Sequence, residues 1–114
     1  MNKYISRGEI YYSRLGDNCG HEQGGVRPVL IIQNNIGNLH SPTVIVAPLT
    51  SRMKKSNLPT HVYISDREKL EKNSVVLLEQ IRTIDKSRLD DYLCKLQSDE
   101  MEEVNKAILI SLGV

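Results

Sequence analysis

The chain has 114 residues, of which 39% are hydrophobic and 25% charged, and these fractions exclude a largely disordered protein. This length predicts a single domain over residues 1–114, which would bury roughly two thirds of its unfolded surface. No apolar run reaches the roughly 20 residues of a membrane-spanning helix, and the first residues lack the apolar stretch of a signal peptide, so we expect a cytoplasmic protein with no membrane partner.

The first three quarters of the chain predict a series of short strands. Aromatic and aliphatic residues predict a first strand over 9–15, and continuous apolar runs predict two more over 28–32 and 43–47. Pro42 and Pro48 are expected to mark the ends of the third strand, because proline cannot donate to a β-ladder. Further strands are predicted over 61–65, 74–78, 81–85 and 92–96. Many short strands in so small a chain indicate a mainly β barrel or compact sandwich.

The last segment changes to a helical period. Ser98 is a suitable N-cap, and the acidic residues that follow it complement the positive end of a helix dipole. Gly113 is a suitable stop. Apolar residues recur between them at helical spacing: Met101, Val104, Ile108 and Leu112. We therefore expect a C-terminal helix that packs this apolar stripe against the sheet.

A glycine-rich segment precedes the second predicted strand and carries the most informative residues. Residues 20–34 read GHEQGGVRPVLIIQN, which places Glu22, two glycines and Arg27 at the mouth of an apolar strand. Glycines let a ligand approach the main chain closely, and Pro28 pushes Arg27 towards an extended conformation. A guanidinium held beside a carboxylate and a glycine loop (residues 16–26) suits a phosphodiester. A surface hairpin turn with an incidental arginine explains the spacing equally well.

The charge of the chain is divided unevenly. Residues 1–60 contain seven Lys or Arg and three Asp or Glu, a net charge of +4, whereas residues 61–114 contain eight and eleven, a net charge of −3. The positive excess falls near the glycine loop and in the basic segment 52–55. This is well short of a strongly basic DNA-binding domain and suits a local anionic ligand better.

Other candidate residues are more ambiguous. Three histidines, at positions 21, 40 and 61, lie on separate elements without metal-ligand spacing, so we expect no metal site; His61 suits a strand residue better than a catalyst. Thr50 ends an apolar strand beside the basic segment, where its hydroxyl could donate to a phosphate or simply close the strand. Glu79 and Gln80 could be solvent contacts at a strand edge or groups that read bases.

Several ordered motifs resemble the MazF (PemK-like) toxins of bacterial toxin–antitoxin pairs. The resemblance begins at Arg7–Tyr11 and includes the Glu-Gln-Gly-Gly-x-Arg-Pro core at residues 22–28. It continues through the segments 41–47, 58–62 and 79–85, and ends with 110–113. The motifs span essentially the whole chain in the same order as in that family. Where the family often has a small residue, this chain has His21.

The resemblance implies an SH3-like β-barrel with a C-terminal helix, assembled as a homodimer. It implies a sequence-specific endoribonuclease that needs no metal or other cofactor and cuts single-stranded mRNA. Its catalytic arginine and threonine fall on Arg27 and Thr50, and the loop glutamate falls on Glu22. A MazE-like antitoxin is the implied protein partner, and the toxin alone is not expected to bind DNA.

The expected reaction uses the 2′-hydroxyl of the RNA as nucleophile and leaves a 2′,3′-cyclic phosphate and a 5′-hydroxyl. Two loops, over 16–26 and 51–58, and the edge at residues 79–80 would bind splayed bases. The expected RNA-binding residues are His21, Gln23, Gly24, Gly25, Arg52, Lys54, Leu58, Pro59, Glu79 and Gln80. Two alternatives remain open: a CcdB-like toxin of the same fold that poisons DNA gyrase without catalysis, and a module that binds RNA without cutting it.

Overall fold

The structure is a computed structural model that describes residues 4–17, 19–52 and 58–114. Within these ranges the chain forms the following strands and helices, in order: β1 Glu9–Arg14, β2 Val26–Ile31, α1 Asn35–His40, β3 Thr43–Thr50, β4 His61–Ile64, β5 Ser74–Leu77, β6 Arg82–Asp85, β7 Leu89–Lys95 and α2 Ser98–Leu112. Two 3-10 turns, Leu78–Gln80 and Lys86–Arg88, connect β5 to β6 and β6 to β7. No helix in the described ranges is long and apolar enough to cross a membrane.

Strand β3 organises an antiparallel sheet. The strand order is β4-β5-β3-β2-β1-β7, and β6 also pairs with β3. On one side β3 pairs with β2; on the other it pairs first with β6, through Val46, and then with β5, from Leu49. This exchange of partners wraps the sheet into a barrel-like form, although the described strands do not close into a ring. The predicted mainly β fold with a C-terminal helix is confirmed.

The predicted boundary at Pro48 is wrong. β3 continues through this residue to Thr50, and Pro48 is buried opposite Val29 of β2. A proline inside a strand needs a place where its missing N–H is not required. Within β3, Val46 is the last residue that pairs with β6 and Leu49 is the first that pairs with β5. Pro48 lies between them, so the gap in this ladder includes the residue that has no N–H to donate.

The two faces of the sheet bury two separate clusters. Cross-strand partners project to the same face, so the register assigns each side chain to one of them. One face packs against α2 and contains Ile10, Leu30, Leu49, Val76, Val104 and Ala107, among others. The opposite face buries a second cluster that includes Val29, Ile31, Val44, Val46 and Ile84. Arg27 and Thr50 occupy the same face as this second cluster, beyond its end, which is where a functional surface can form.

The helices differ from prediction in detail. α1 was not predicted, because six residues that include Gly37 are too short to show a helical period; its signal was Asn34, whose side chain accepts a hydrogen bond from the Gly37 amide at 2.8 Å. In α2, Val104 is buried as predicted and Gly113 ends the helix in a left-handed conformation. Met101 and Ile108 also pack, partly buried, against the core that contains Val104, whereas Leu112 is 61% exposed, so the predicted apolar stripe fails only at its last residue.

The start of α2 also needs a correction. Its N-cap is Gln97, not Ser98, and the Glu100 carboxylate accepts a hydrogen bond from the Gln97 amide at 2.9 Å. The same carboxylate forms an ion pair with Arg67, which precedes β5. The hydrogen bond from Arg67 is the main reason that the pKa of Glu100 lies below its usual value. A single carboxylate therefore caps the helix and links it to the sheet.

We predict that this carboxylate makes the stability of the fold depend on pH in acid. Its pKa is lower in the folded than in the unfolded chain, so its contribution is complete above the usual glutamate pKa of about 4.3 and is lost as pH falls through the folded pKa. Glu100→Gln keeps a capping side chain but cannot ionise. Urea unfolding should show wild type more stable at pH 7 and the difference shrinking towards pH 3. A difference that does not change with pH would contradict this assignment.

Candidate active site

A groove of about 1090 Å³ opens on the sheet face that carries Arg27 and Thr50. It lies between the glycine loop, the end of β3 and the β4–β5 hairpin. Most of the predicted site residues line it: His21, Glu22, Gln23, Gly24, Gly25, Arg27, Thr50, Arg52, Leu58, Glu79 and Gln80. Two predicted residues are not placed there. Pro59 is exposed outside the lining, and Lys54 lies outside the described residues.

The groove floor follows from strand register. Val29 pairs with Pro48, so continuing the antiparallel register by two residues sets Arg27 opposite Thr50. Thr50 pairs with Val75 of β5, and Val75 pairs with Tyr63 of β4. These four side chains therefore form one row across the sheet, projecting to the same face. Residues far apart in sequence become neighbours because β3 pairs with β2 on one side and β5 on the other.

Arg27 is aimed by the main chain around it. Its Nε donates to the Gly24 carbonyl at 2.8 Å, and its Nη1 donates to the Leu49 carbonyl at 3.4 Å. A guanidinium has five N–H donors, which is more than these two carbonyls use. Partial burial lowers the pKa of Arg27 from its usual value, and the positive charge of Arg52 lowers it further. Two cations thus act on the same end of the groove, which suits an anionic ligand.

Thr50 presents its hydroxyl next to this positive end. Its Oγ1 accepts a hydrogen bond from the Arg52 amide at 3.2 Å. Accepting that bond does not use the hydroxyl hydrogen, so Thr50 can still donate to an oxygen in the groove. Arg27 and Thr50 together provide a forked cation and a neutral donor on facing positions of two strands.

The glycine loop joins β1 to β2 and bears Glu22. Gly25 closes its base: its amide donates to the Gly16 carbonyl at 2.7 Å, and its carbonyl accepts from the Leu15 amide at 2.8 Å. Gly25 has a φ of 70°, in the left-handed region that a side chain would strain. Farther along, the Glu22 amide donates to the Cys19 carbonyl at 3.0 Å. Glu22 is exposed at the groove.

A second set of polar contacts borders the groove at the 3-10 turn Leu78–Gln80, which we call the 78–80 turn. Gln80 Oε1 accepts from the Gln23 amide at 2.9 Å, and Gln80 Nε2 donates to the His21 carbonyl at 3.3 Å. Glu79 accepts from the Thr60 hydroxyl at 3.1 Å and lies 2.9 Å from His61 Nε2. The turn thereby connects the glycine loop to the start of β4.

Several residues that line the groove were not predicted from the sequence. His61 begins β4, as its strand prediction requires, but it also lines the groove, as do Tyr63, Glu71 and Lys72. The alternation of His61 and Tyr63 with buried Val62 and Ile64 shows that the first two face away from the α2 side. That pattern could not show that their face is a groove, because the glycine loop that completes it is distant in sequence. In the described part of the chain, no three His, Cys, Asp or Glu side chains are placed to hold a metal ion.

Comparison with known proteins identifies the family. The family model for the PemK-like, MazF-like toxin of type II toxin–antitoxin systems matches residues 6–112. The chain belongs to this toxin family. It is also 56% identical over 111 residues to the endoribonuclease MazF of Staphylococcus saprophyticus, covering 96% of this chain and 92% of that protein. The resemblance drawn from the ordered motifs is thus confirmed.

Solved MazF-type structures share the fold. MazF from Deinococcus radiodurans superposes with a TM-score of 0.83 at 27% identity, covering 98% of this chain and 99% of that one. An endoribonuclease in complex with its cognate antitoxin, from a mycobacterial species, superposes with a TM-score of 0.76 at 29% identity, covering 96% of each chain. The barrel of the MazF-like toxins is therefore the fold of this chain.

Proposed function

We propose that this MazF-like toxin is a sequence-specific endoribonuclease that cuts single-stranded mRNA without a metal ion. The observation that carries the proposal is that Arg27 and Thr50 both line the positive end of an open groove. Support also comes from the 56% identical relative, which is named as an endoribonuclease; neither a gyrase poison nor a binding-only module would need this pair. Because mRNA is the substrate, we place the protein in the cytoplasm.

The proposed reaction begins with attack of the RNA 2′-hydroxyl on the adjacent phosphorus. The oxygen–phosphorus bond to the next nucleotide breaks, which leaves a 2′,3′-cyclic phosphate and a 5′-hydroxyl. Negative charge accumulates on the non-bridging oxygens in the transition state. Donors already aimed at that position stabilise the transition state more than the substrate, which is what accelerates the step.

Arg27 and Thr50 serve as these donors. The two backbone carbonyls hold the guanidinium in place before RNA arrives, so little reorganisation is needed. The lowered pKa makes Arg27 a better proton donor to the leaving 5′-oxygen than an ordinary arginine, although it remains a cation at neutral pH. Arginine is correspondingly a poor base. Glu22, exposed on the glycine loop, is the residue we assign to orient or deprotonate the 2′-hydroxyl, with His21 as the other candidate for proton acceptor.

The remaining groove residues would hold the bases beside the scissile bond. Unstacked bases of single-stranded RNA are read through hydrogen bonds on their edges, and Glu79 presents a carboxylate that Thr60 and His61 keep oriented. The backbone around Gly24 and Gly25 lets a strand approach closely. Arg52 and Leu58, which flank the 53–57 segment, would extend this surface, and His21, Gln23 and Gln80 also line the groove. RNA contacts by Lys54 and Pro59 stay predictions.

We predict that Arg27→Ala and Thr50→Ala each slow cleavage by about 100- to 1,000-fold while the protein stays folded, because each removes one preorganised donor. Glu22→Gln keeps the shape of the side chain but cannot take a proton, and a base assignment predicts about a 100-fold loss. Initial rates on a short RNA, with circular dichroism as the folding check, provide the measurement. Arg14→Ala is the matched control, since Arg14 is exposed on the same sheet but outside the groove.

Near-normal turnover by folded Arg27→Ala would refute the assignment of the site. Loss of activity in Arg14→Ala would show that the assay responds to any lost positive charge, which would also contradict a specific role for Arg27.

The proposed partners are a second copy of the chain and an antitoxin. The homodimer is the assembly that the family resemblance implies. An antitoxin is supported by the related endoribonuclease solved with its cognate antitoxin. The net charge of +4 on residues 1–60 favours an acidic, partly disordered antitoxin tail that would lie across the dimer and occupy the RNA groove.

An acidic peptide of this kind should therefore inhibit RNA cleavage, and more weakly as salt rises, because the attraction is screened. A peptide with its Asp and Glu replaced by Asn and Gln is the control. Light scattering on the same samples should give twice the 12.9 kDa chain mass for the toxin alone. Equal inhibition by both peptides would contradict the electrostatic account, and a monomeric mass would contradict the dimer.

A further inference from the structure

We infer that Gln80 is a positioning residue that holds the glycine loop in its working place, and that it does so before RNA binds. The inference rests on the proposed ribonuclease function, because the loop carries Glu22 and its Gly24 carbonyl orients Arg27. In the sequence, Gln80 suits a residue that reads bases. In the structure, both ends of its amide are bonded to loop main chain.

The geometry of the two bonds supports a holding role. The Gln80 carbonyl oxygen accepts from the Gln23 amide at 2.9 Å, and the Gln80 amide nitrogen donates to the His21 carbonyl at 3.3 Å. These partners flank Glu22 on either side. A neutral amide that both accepts and donates satisfies two backbone groups of opposite polarity at once, which neither a carboxylate nor an ammonium group can do. The residue therefore fixes the backbone at the position of the proposed base.

The support on which Gln80 sits is itself anchored. Leu78, in the same 78–80 turn, is fully buried; its amide donates to the Thr60 carbonyl at 3.0 Å, and its carbonyl accepts from the Ser111 hydroxyl at 2.7 Å. The turn is thus attached to the residue before β4 and to the last turn of α2. A side chain on such a base has a defined origin, so its hydrogen bonds can set the position of the loop.

The hydrogen bonds from Gln80 attach the glycine loop to a separate element, the 78–80 turn. The bonds of Gly25 with Gly16 and Leu15 close its base, and the bond from Glu22 to Cys19 lies within the loop. These hydrogen bonds join residues of the loop and its immediate neighbours, so they shape the loop but do not set its distance from the 78–80 turn. Gln80 spans that distance. Fixing a catalytic group within a fraction of an ångström is what makes it effective, so losing this span should lower the rate.

The test combines amide hydrogen exchange on the free protein with cleavage rates. Gln80→Met has nearly the same shape but forms neither bond, so the Gln23 amide should exchange about two- to tenfold faster, the effect of losing one ordinary hydrogen bond. The Gly25 amide, bonded to Gly16, is the internal reference and should be unchanged. Gln80→Glu retains an acceptor for the Gln23 amide, so it should restore protection there. The kcat for RNA cleavage should fall most in Gln80→Met and less in Gln80→Glu.

Unchanged Gln23 exchange in Gln80→Met would overturn the inference. A relaxed base preference at one RNA position in the same variant would then identify Gln80 as a base-reading residue. The exchange measurement needs no RNA. If the wild-type protein failed to cleave RNA, the proposed function would fall while the exchange data still decided whether Gln80 holds the loop.

Discussion

The pairing of β2 with β3 is the constraint on which the rest of the site depends. Extended by two residues beyond Val29 and Pro48, this register sets Arg27 opposite Thr50, and the continuation of β3 past Pro48 pairs Thr50 with β5. A shift of one residue in either strand would turn Arg27 or Thr50 to the other face, where the sheet packs against α2. The register is secured by packing, because the same slip would remove Val29 or Val46 from the second cluster and place Arg27 or Thr50 against the apolar core on the α2 side. The core that stabilises the fold therefore also positions the proposed catalytic pair.

One sheet face carries both the second hydrophobic cluster and, beyond the end of that cluster, the groove. Where the second cluster ends, the face is completed by the glycine loop and the 78–80 turn, which contribute backbone groups and polar side chains. This arrangement leaves the guanidinium of Arg27 partly buried at the end of the apolar cluster, so its charge is less screened than at an exposed site. The lowered pKa of Arg27 is the result of that burial and of the nearby charge of Arg52. The point at which the second cluster ends therefore sets both the position of the groove and the partial burial of Arg27.

The sequence was sufficient to predict most of the strands, the C-terminal helix and the residues at the groove. Period-two alternation and short apolar runs mark strands because they reflect burial on one or both faces, and the glycine loop has a composition that few structural turns need. The burial of Pro48 inside β3, rather than at its end, was not predictable, since it depends on which strands pair with β3 on each side. The contacts of His61 and Gln80 were not predictable for the same reason: their partners, Glu79 and the backbone of the glycine loop, are brought close only by tertiary packing. Leu112 shows the opposite error, because helical spacing cannot reveal where the sheet beneath a helix ends.

The central claim is that the groove cuts RNA through its own 2′-hydroxyl, and end-group analysis tests it most directly. A long single-stranded RNA would be incubated with the wild-type protein in EDTA, and the new ends at each cut would be mapped and identified. We expect discrete cuts that leave 5′-hydroxyl and 2′,3′-cyclic phosphate ends, and no cut where the nucleotide before the scissile bond carries a 2′-deoxy sugar. Products with 5′-phosphate ends, cleavage at the deoxy position, or no cleavage by the folded protein would contradict the account.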